Sequence, residues 1–350
     1  MILGPETEQY AGGAQRPWSL ARIASEARRC EDLGFDGITS AEAGHDPFLP
    51  LAVAAGHTTR VTLGTNVAIA FPRSPMVSAQ LAWDLQQLSG GRFQLGLGTQ
   101  VKPHVERRYG ATWNAPPGPR LREYLQCLQA ILATFAEPDA PRWFRGEHYQ
   151  FTLMSPFFHP GPIEHPAPPV YLAAVNPYMA RLAGELCAGL RLHPIATFRF
   201  AREVVLPAVE AGLRKGGREG GGIDLVGAPF LALGADDAGL EAARHALKQH
   251  IAFYGSTPTY QSVLDHHGWQ DVGRELHRLS REGRWTELPG LISDAMLDEW
   301  AIVARDEELV PKLRERCTGL FSTLLLDLPP RLRRDEERVR EIVAALRAPG

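Results

Sequence analysis

The stretch Val61–His104, VTLGTNVAIAFPRSPMVSAQLAWDLQQLSGGRFQLGLGTQVKPH, constrains this chain more than any other. It holds two short apolar runs, Val61–Leu63 and Phe93–Leu97, with a segment of helical length between them. Each run ends in glycine and small polar residues: Gly64-Thr65-Asn66 after the first, Gly98-Thr99-Gln100 after the second. That order describes a strand–loop–helix–strand–loop unit whose polar residues all follow the carboxyl ends of strands. In parallel α/β architectures that end carries the ligand.

The remaining chain repeats the alternation. Leu20, Ile23, Ala24, Ala27, Cys30 and Leu33 share one helical face, and Gly34 stops that helix. A short strand follows at 35–40, then an apolar helix at 48–59. Pro75 opens a helix where proline is tolerated, and Ser89-Gly90-Gly91 closes it. Residues 98–119 read as a loop, 120–136 as a helix, and 170–172 and 189–192 as strands separated by a helix. Ile223–Leu233 reads as one strand, 236–253 as a helix, 306–317 as a helix, Phe321–Asp327 as a strand and 333–347 as a terminal helix. Residues 2–3 begin a first strand that Gly4 and Pro5 interrupt. Two excursions break the rhythm, at about 137–169 and 254–296. The first is proline-rich and packed by Trp143, Phe144, Tyr149, Phe151, Phe157 and Phe158. The expectation is one α/β domain over 1–350, a (β/α)8 TIM barrel with two insertions and a degraded first strand.

Composition removes several classes. The net charge of −3 with mixed signs leaves no footprint for nucleic acid or an anionic membrane. The four cysteines, Cys30, Cys127, Cys187 and Cys317, are dispersed and form no CxxC pair, which suits buried thiols in a reducing cytoplasm. The first residues lack a signal peptide's basic and apolar regions, and no run reaches transmembrane length, so the expected location is cytoplasmic.

The polar residues that follow strands map one rim: Glu42, Asn66, Thr99 with Gln100 and His104, Asn176, and His193. Glu42 follows its strand directly and suits a general acid/base or an acceptor for a ring N–H. His45-Asp46 is a possible oriented pair. His104 lies among Lys102, Arg107 and Arg108, which suit an acidic cofactor tail. Ala173-Ala174-Val175-Asn176-Pro177 either presents helix N-terminal amides to a phosphate or is an ordinary Asn cap before proline. Gly96-Leu97-Gly98 lacks the third glycine and the distal acid of a dinucleotide fingerprint. His250, His266, His267 and His277 match no metal signature, no GxSxG elbow occurs, and no metal is expected.

The segment LGTNVAIAFPRSPMVSAQLAWDLQQLSGGRFQLGLGTQVKPHVERRYG resembles the luciferase-like monooxygenase superfamily, in its deazaflavin (coenzyme F420)-dependent oxidoreductase branch. AEAGHDPFLPLAVAAGHTTRVTLG, FRGEHYQFTLMSPFFHPGP, PPVYLAAVNPYMARLAGE and AFYGSTPTYQSVLDHHGW carry the same resemblance. It implies F420 across the carboxyl rim and hydride transfer to or from a small organic substrate. It further implies a non-prolyl cis peptide at Asn66–Val67 backing the ring, with Glu42 approaching the ring. Thr99, Gln100 and His104 would contact ring and tail, Ala174, Val175 and Asn176 the phosphate, and His193 the cofactor's rim. Ala43 stands where some relatives carry a catalytic histidine, so Glu42, His45 or His104 would handle protons. The excursion at 254–296 would cover the substrate side, and a homodimer is the expected assembly. Two alternatives follow: a monooxygenase using reduced FMN, or a barrel without redox chemistry that binds a ligand or works without a cofactor.

Overall fold

The computed structural model describes residues 2–3, 19–218 and 220–348. Its organising element is one curled parallel sheet with strand order β1 (Ile2–Leu3), β2 (Gly37–Ser40), β3 (Thr62–Thr65), β5 (Phe93–Gly98), β8 (Val170–Ala174), β9 (Gly189–Leu192), β10 (Asp224–Gly227) and β13 (Thr323–Leu324). Every ladder along that path is parallel, so all carboxyl ends face one pole. This is the succession of a (β/α)8 barrel. β4 (Ala68–Ile69) is a return of the chain onto β5, pairing with Leu97 and Gly98.

Helices cover the outside because each shows the sheet one apolar stripe. α1 (Leu20–Asp32) buries Ile23, Ala27 and Cys30, while Arg22, Ser25 and Arg28 face out. α2 is Phe48–Ala55. α3 (Pro75–Leu88) starts on Ser74, whose side chain accepts the Val77 N–H, with Pro75 in the first turn. Its Trp83 packs edge-on against Phe135 of the long helix Pro117–Ala136, with ring centroids 5.4 Å apart. Each such fully buried aromatic stabilises the layer by roughly 1.5–3 kcal/mol.

Several expectations change. The loop expected at 98–119 contains a helix, α4 (Lys102–Arg107), and the next helix, α5 (Pro117–Ala136), begins inside the proline cluster because prolines fit a first turn. Ile223–Leu233 is two strands, because Pro229 cannot donate to a ladder. β10 stays in the barrel, and β11 (Phe230–Gly234) leaves it to pair with β12 (Ala301–Arg305), a strand that the sequence pattern did not reveal. Only Thr323–Leu324 of the expected 321–327 strand is regular. Ser322 turns instead to Asp224 Oδ1, at 2.5 Å, and past Leu325 the chain runs to Pro329-Pro330. In the first excursion Tyr149 and Phe151 pack inward around the hairpin β6 (Phe144–Arg145) and β7 (Gln150–Phe151). Phe157 and Phe158 do not: they are 88% and 71% exposed, and Trp143 is half exposed. The second excursion is helical: Gln270–Arg281 packs on Asp237–Gly255, Gln261–His266 packs on Gln270–Arg281, and Asp294–Trp300 packs against β12. All four cysteines are buried, and burial pushes the Cys187 thiol up to about 12. Among the described residues no helix is long and apolar enough to cross a membrane.

Candidate active site

The carboxyl pole is built around a backbone bulge. The Asn66–Val67 peptide is cis and not prolyl. The Asn66 N–H donates to Ser40 O at 2.7 Å, and the Ala70 N–H to Gly98 O at 2.9 Å, so the bulge is pinned to β2 on one side and β5 on the other. Val67 stands over Gly98: a Cβ there would lie 2.8 Å from Val67 Cγ2 and 3.5 Å from Ala173 Cβ. Only a residue without a side chain lets the bulge sit this low.

Glu42 is the brace of this rim. Its Oε2 accepts the Ile69 N–H at 2.7 Å and Arg73 Nη1 at 2.6 Å, while Oε1 accepts the Tyr109 hydroxyl at 3.0 Å. Arg73 also donates to Ile69 O and to Asp46, and both members of the Glu42–Arg73 pair are largely buried, at 5% and 16% side-chain exposure. One carboxylate therefore ties together the loops after β2, β3 and β5. The burial of Arg73 opposes its charge, and Glu42 first, then Asp46, more than restores it, leaving its pKa above the ordinary value. Tyr109 is pushed up by its burial and then by Glu42. Arg108 donates to Ala43 O and Tyr109 Oη and lies over the Tyr109 ring. Arg73 and Tyr109 were missed as site residues, and Asp46 was read only as a partner for His45. Arg73 could have been found as the cation following the bulge; Tyr109 carries no local signal.

The other expected residues fall around the same pole. Asp46 caps α2 by accepting the Phe48 and Leu49 N–H groups on one oxygen and takes Arg73 on the other, and His45 beside it is exposed. Thr99 and Gln100 are half-buried. Gln100 holds φ near +60°, an uncommon conformation for a residue with a side chain, and its side-chain oxygen accepts the Val101 N–H. His104 lies exposed on α4 with Lys102 and Arg107. Ala174 and Val175 are buried. Asn176 caps α6 (Pro177–Leu186), its side chain accepting the Met179 N–H, with Pro177 in the first turn. The cap explains asparagine and proline there, and the ten-residue helix also directs its amino end at the rim.

His193 leaves the end of β9 and meets the second excursion. Its ring stacks on Tyr260, with centroids 5.0 Å apart, and contacts Tyr254 edge-on at 4.7 Å. The Ile195 N–H donates to its Nδ1. Burial, and then neighbouring His250, drive His193 down to about 3, so it is neutral at ordinary pH. Of the four histidines weighed as metal ligands, His250 stays in this aromatic cluster, His266 pairs with Glu203, His267 bonds Thr197 and His277 bonds Ser256 O. Among the described residues, Glu123, Glu147 and His148 bring ligand atoms close together. They lie on α5 and the hairpin, and Glu123 already accepts the His148 N–H.

The geometry is thus a shallow platform of cis backbone, Gly98 and Ala173, flanked by a helix amino end, a buried ion-pair brace and an aromatic wall. The chain is 44% identical over 321 residues to an uncharacterized protein of Mycobacterium tuberculosis (strain ATCC 25618 / H37Rv), covering 90% of this chain and 94% of that one. It is 32% identical over 309 residues to a protein of the same organism provisionally named a coenzyme F420-dependent oxidoreductase, covering 83% and 85%. In three dimensions it matches the coenzyme F420-dependent tetrahydromethanopterin reductase of Methanopyrus kandleri with a TM-score of 0.74 at 20% identity, over 94% and 95% of the two chains. The sequence profile of luciferase-like monooxygenases matches residues 3–323, from the first strand through the last, and with that span matched the chain belongs to the luciferase-like monooxygenase family.

Proposed function

We propose that this chain is an oxidoreductase that moves a hydride between coenzyme F420, held across the carboxyl pole, and a small organic substrate. The observation that carries the reading is the Asn66–Val67 bulge seated on Gly98. It offers a flat, small-residue platform for a planar ring, and the relative named for F420 use aligns over most of the chain. When bound, the deazaflavin supplies or accepts the hydride at its C5 carbon.

The chain's own residues do the rest. Val67 backs the ring, Ala173 and Ala174 leave it room, and the first turn of α6 faces the phosphate. Glu42 acts as a positioning residue: both its oxygens already hold donors, and those donors fix the platform's height. Proton handling falls to His45 or His104, both exposed. Arg108 is committed to Ala43 O and Tyr109, so an acidic tail is met by the exposed Arg107 and by Lys102, whose 3.9 Å pair with Glu106 is solvent-exposed. His193, Tyr254 and Tyr260 form the apolar wall that excludes water from the substrate side.

Absorbance titration of the purified protein with F420 and with FMN, each at low and high salt, tests this. Saturable F420 binding that weakens with salt is expected, because exposed cations are screened. Tight FMN binding without F420 binding, or binding of neither, overturns it.

A further inference from the structure

His193 stands at the mouth of the barrel, one residue past the end of β9. The ladder carries that far, since the His193 N–H donates to Ala174 O at 3.4 Å, so the alternation of β9 still sets its direction. Arg191, two residues earlier, points inside the barrel. Its guanidinium lies over the Tyr171 ring, donates to Gln94 Oε1 and meets the positions that Cβ atoms on Gly64 and Gly96 would take. His193 therefore belongs to the same inner face, at its carboxyl end. Gly98 and Ala173 carry that face across β5 and β8, which puts His193 two inter-strand steps, about 10 Å, from the Gly98 platform under Val67.

The imidazole is fixed in one form. Nδ1 turns back onto its own loop, where it accepts the Ile195 N–H at 3.1 Å, so the proton of the neutral ring sits on Nε2. Tyr260 covers the ring's face and Tyr254 meets it edge-on. Nε2–H lies on the side of the ring away from that loop. Among the described residues nothing accepts from it, yet it is not sealed from solvent, and His193 is only half-buried. An N–H set in an apolar wall calls for an acceptor. Its surroundings, Val67, Ala173, Tyr254 and Tyr260, bear no charge, which favours an uncharged oxygen over a carboxylate or phosphate.

We propose that the substrate is an uncharged aldehyde or ketone, or the alcohol it becomes, and that His193 is a catalytic residue whose Nε2–H donates to its oxygen. The proposal rests on the hydride-transfer reading above. As the carbonyl carbon gains the hydride, the carbon–oxygen π pair moves onto oxygen, and His193 Nε2–H meets the charge that grows there. A solvent proton, passed on by His45 or His104, completes the hydroxyl. The carbonyl is reduced, the cofactor is oxidised, and His193 keeps its proton throughout.

Long-range proton–nitrogen NMR of the whole protein with isotope-labelled histidine should show His193 as the Nε2–H form at about pH 7; the Nδ1–H form or a protonated ring overturns the proposal. Oxidation of reduced F420 is then followed with propan-2-one, cyclohexanone and benzaldehyde as probes, and turnover of at least one is expected. His193→Phe keeps the aromatic contacts and removes the donor. It should lower kcat about 100-fold and leave the F420 dissociation constant within about twofold, and His193→Gln, which restores an N–H, should recover about tenfold. If His193→Phe fails to fold, movement of the His193 Nε2 signal on adding cyclohexanone to the F420 complex supports the proposal and a still signal overturns it. Turnover unchanged in His193→Phe, an equal loss of F420 affinity, or F420 binding without turnover of any of the three carbonyls overturns the proposal and leaves the cofactor reading standing. Absence of F420 binding overturns both.

Discussion

The two poles of the barrel treat buried charge in opposite ways. At the carboxyl pole, Arg73 is met by Glu42 and Asp46, and Glu42 by two further donors, so each charge is matched and braces a loop. At the amino pole, Arg191 is more deeply buried yet is given an amide, an aromatic face and an open Nε. Burial alone lowers its pKa to about 10, with Tyr171 and Asp224 opposing the shift. A matched charge is a structural device, because removing either partner strands the other. An unmatched one weakens the fold unless something else makes use of it.

Acid should separate the poles most strongly. Burial holds His193 near 3 and His250 near 4; His267 is also near 4, through burial and then its neighbours Arg199 and His266. In the unfolded chain each titrates near 6.5, so between those values the unfolded state binds more protons. Their contribution is complete above about pH 6.5 and is lost progressively as pH falls toward 4. The melting temperature should drop over that window, and amide exchange should show the Asp237–Gly255 cover opening before the amino-pole strands. A flat profile between pH 6.5 and 4.5 would contradict the neutral-histidine wall.

Next in size is the brace. Glu42→Ala leaves Arg73 buried without its main partner and should cost about 3 kcal/mol in urea unfolding. It should also weaken F420 binding without moving the pH dependence of turnover. A fall in kcat with unchanged affinity would instead make Glu42 a proton carrier. Gly98→Ala pushes on Val67 from below and should cost about 1–2 kcal/mol, with a larger loss in cofactor affinity than in stability. The smallest change, and the one of opposite sign, is Arg191→Met. Removing an unmatched buried cation should leave the ligand-free protein equally stable or stabilise it by about 1 kcal/mol. A loss of several kcal/mol there would mean that the two poles are alike after all.

Much of the carboxyl pole could be read in the chain, because its parts are local. Gly98 and the Asn176-Pro177 cap are each set by a few adjacent residues, and the turn and cap chemistry is written at those positions, whereas the cis step at Asn66–Val67 was expected only from the family resemblance. The break at Pro229 was equally local and was overlooked: it sends Phe230–Gly234 out of the barrel to meet Ala301–Arg305, a partner about 70 residues away in sequence that no short window can show. The exposed Phe157 and Phe158 mark a different limit, since aromatic composition alone does not say which ring finds a neighbour.

What the sequence by itself determined is the order of most elements and the pole to which the polar loop residues are carried. Period-2 and period-3.6 patterns assign strands and helices, and parallel strands carry their loops to one end. Tertiary structure alone decided which charges meet. Glu42 and Arg73 are 31 positions apart and Arg191 and Gln94 are 97, so only the curling of the sheet makes one pair a brace and leaves the other cation open. That curling also turned the opening stretch from a pair of polar-ended strands into the seat of a cis bulge on Gly98, because contact across neighbouring strands, not sequence spacing, sets the distance between side chains.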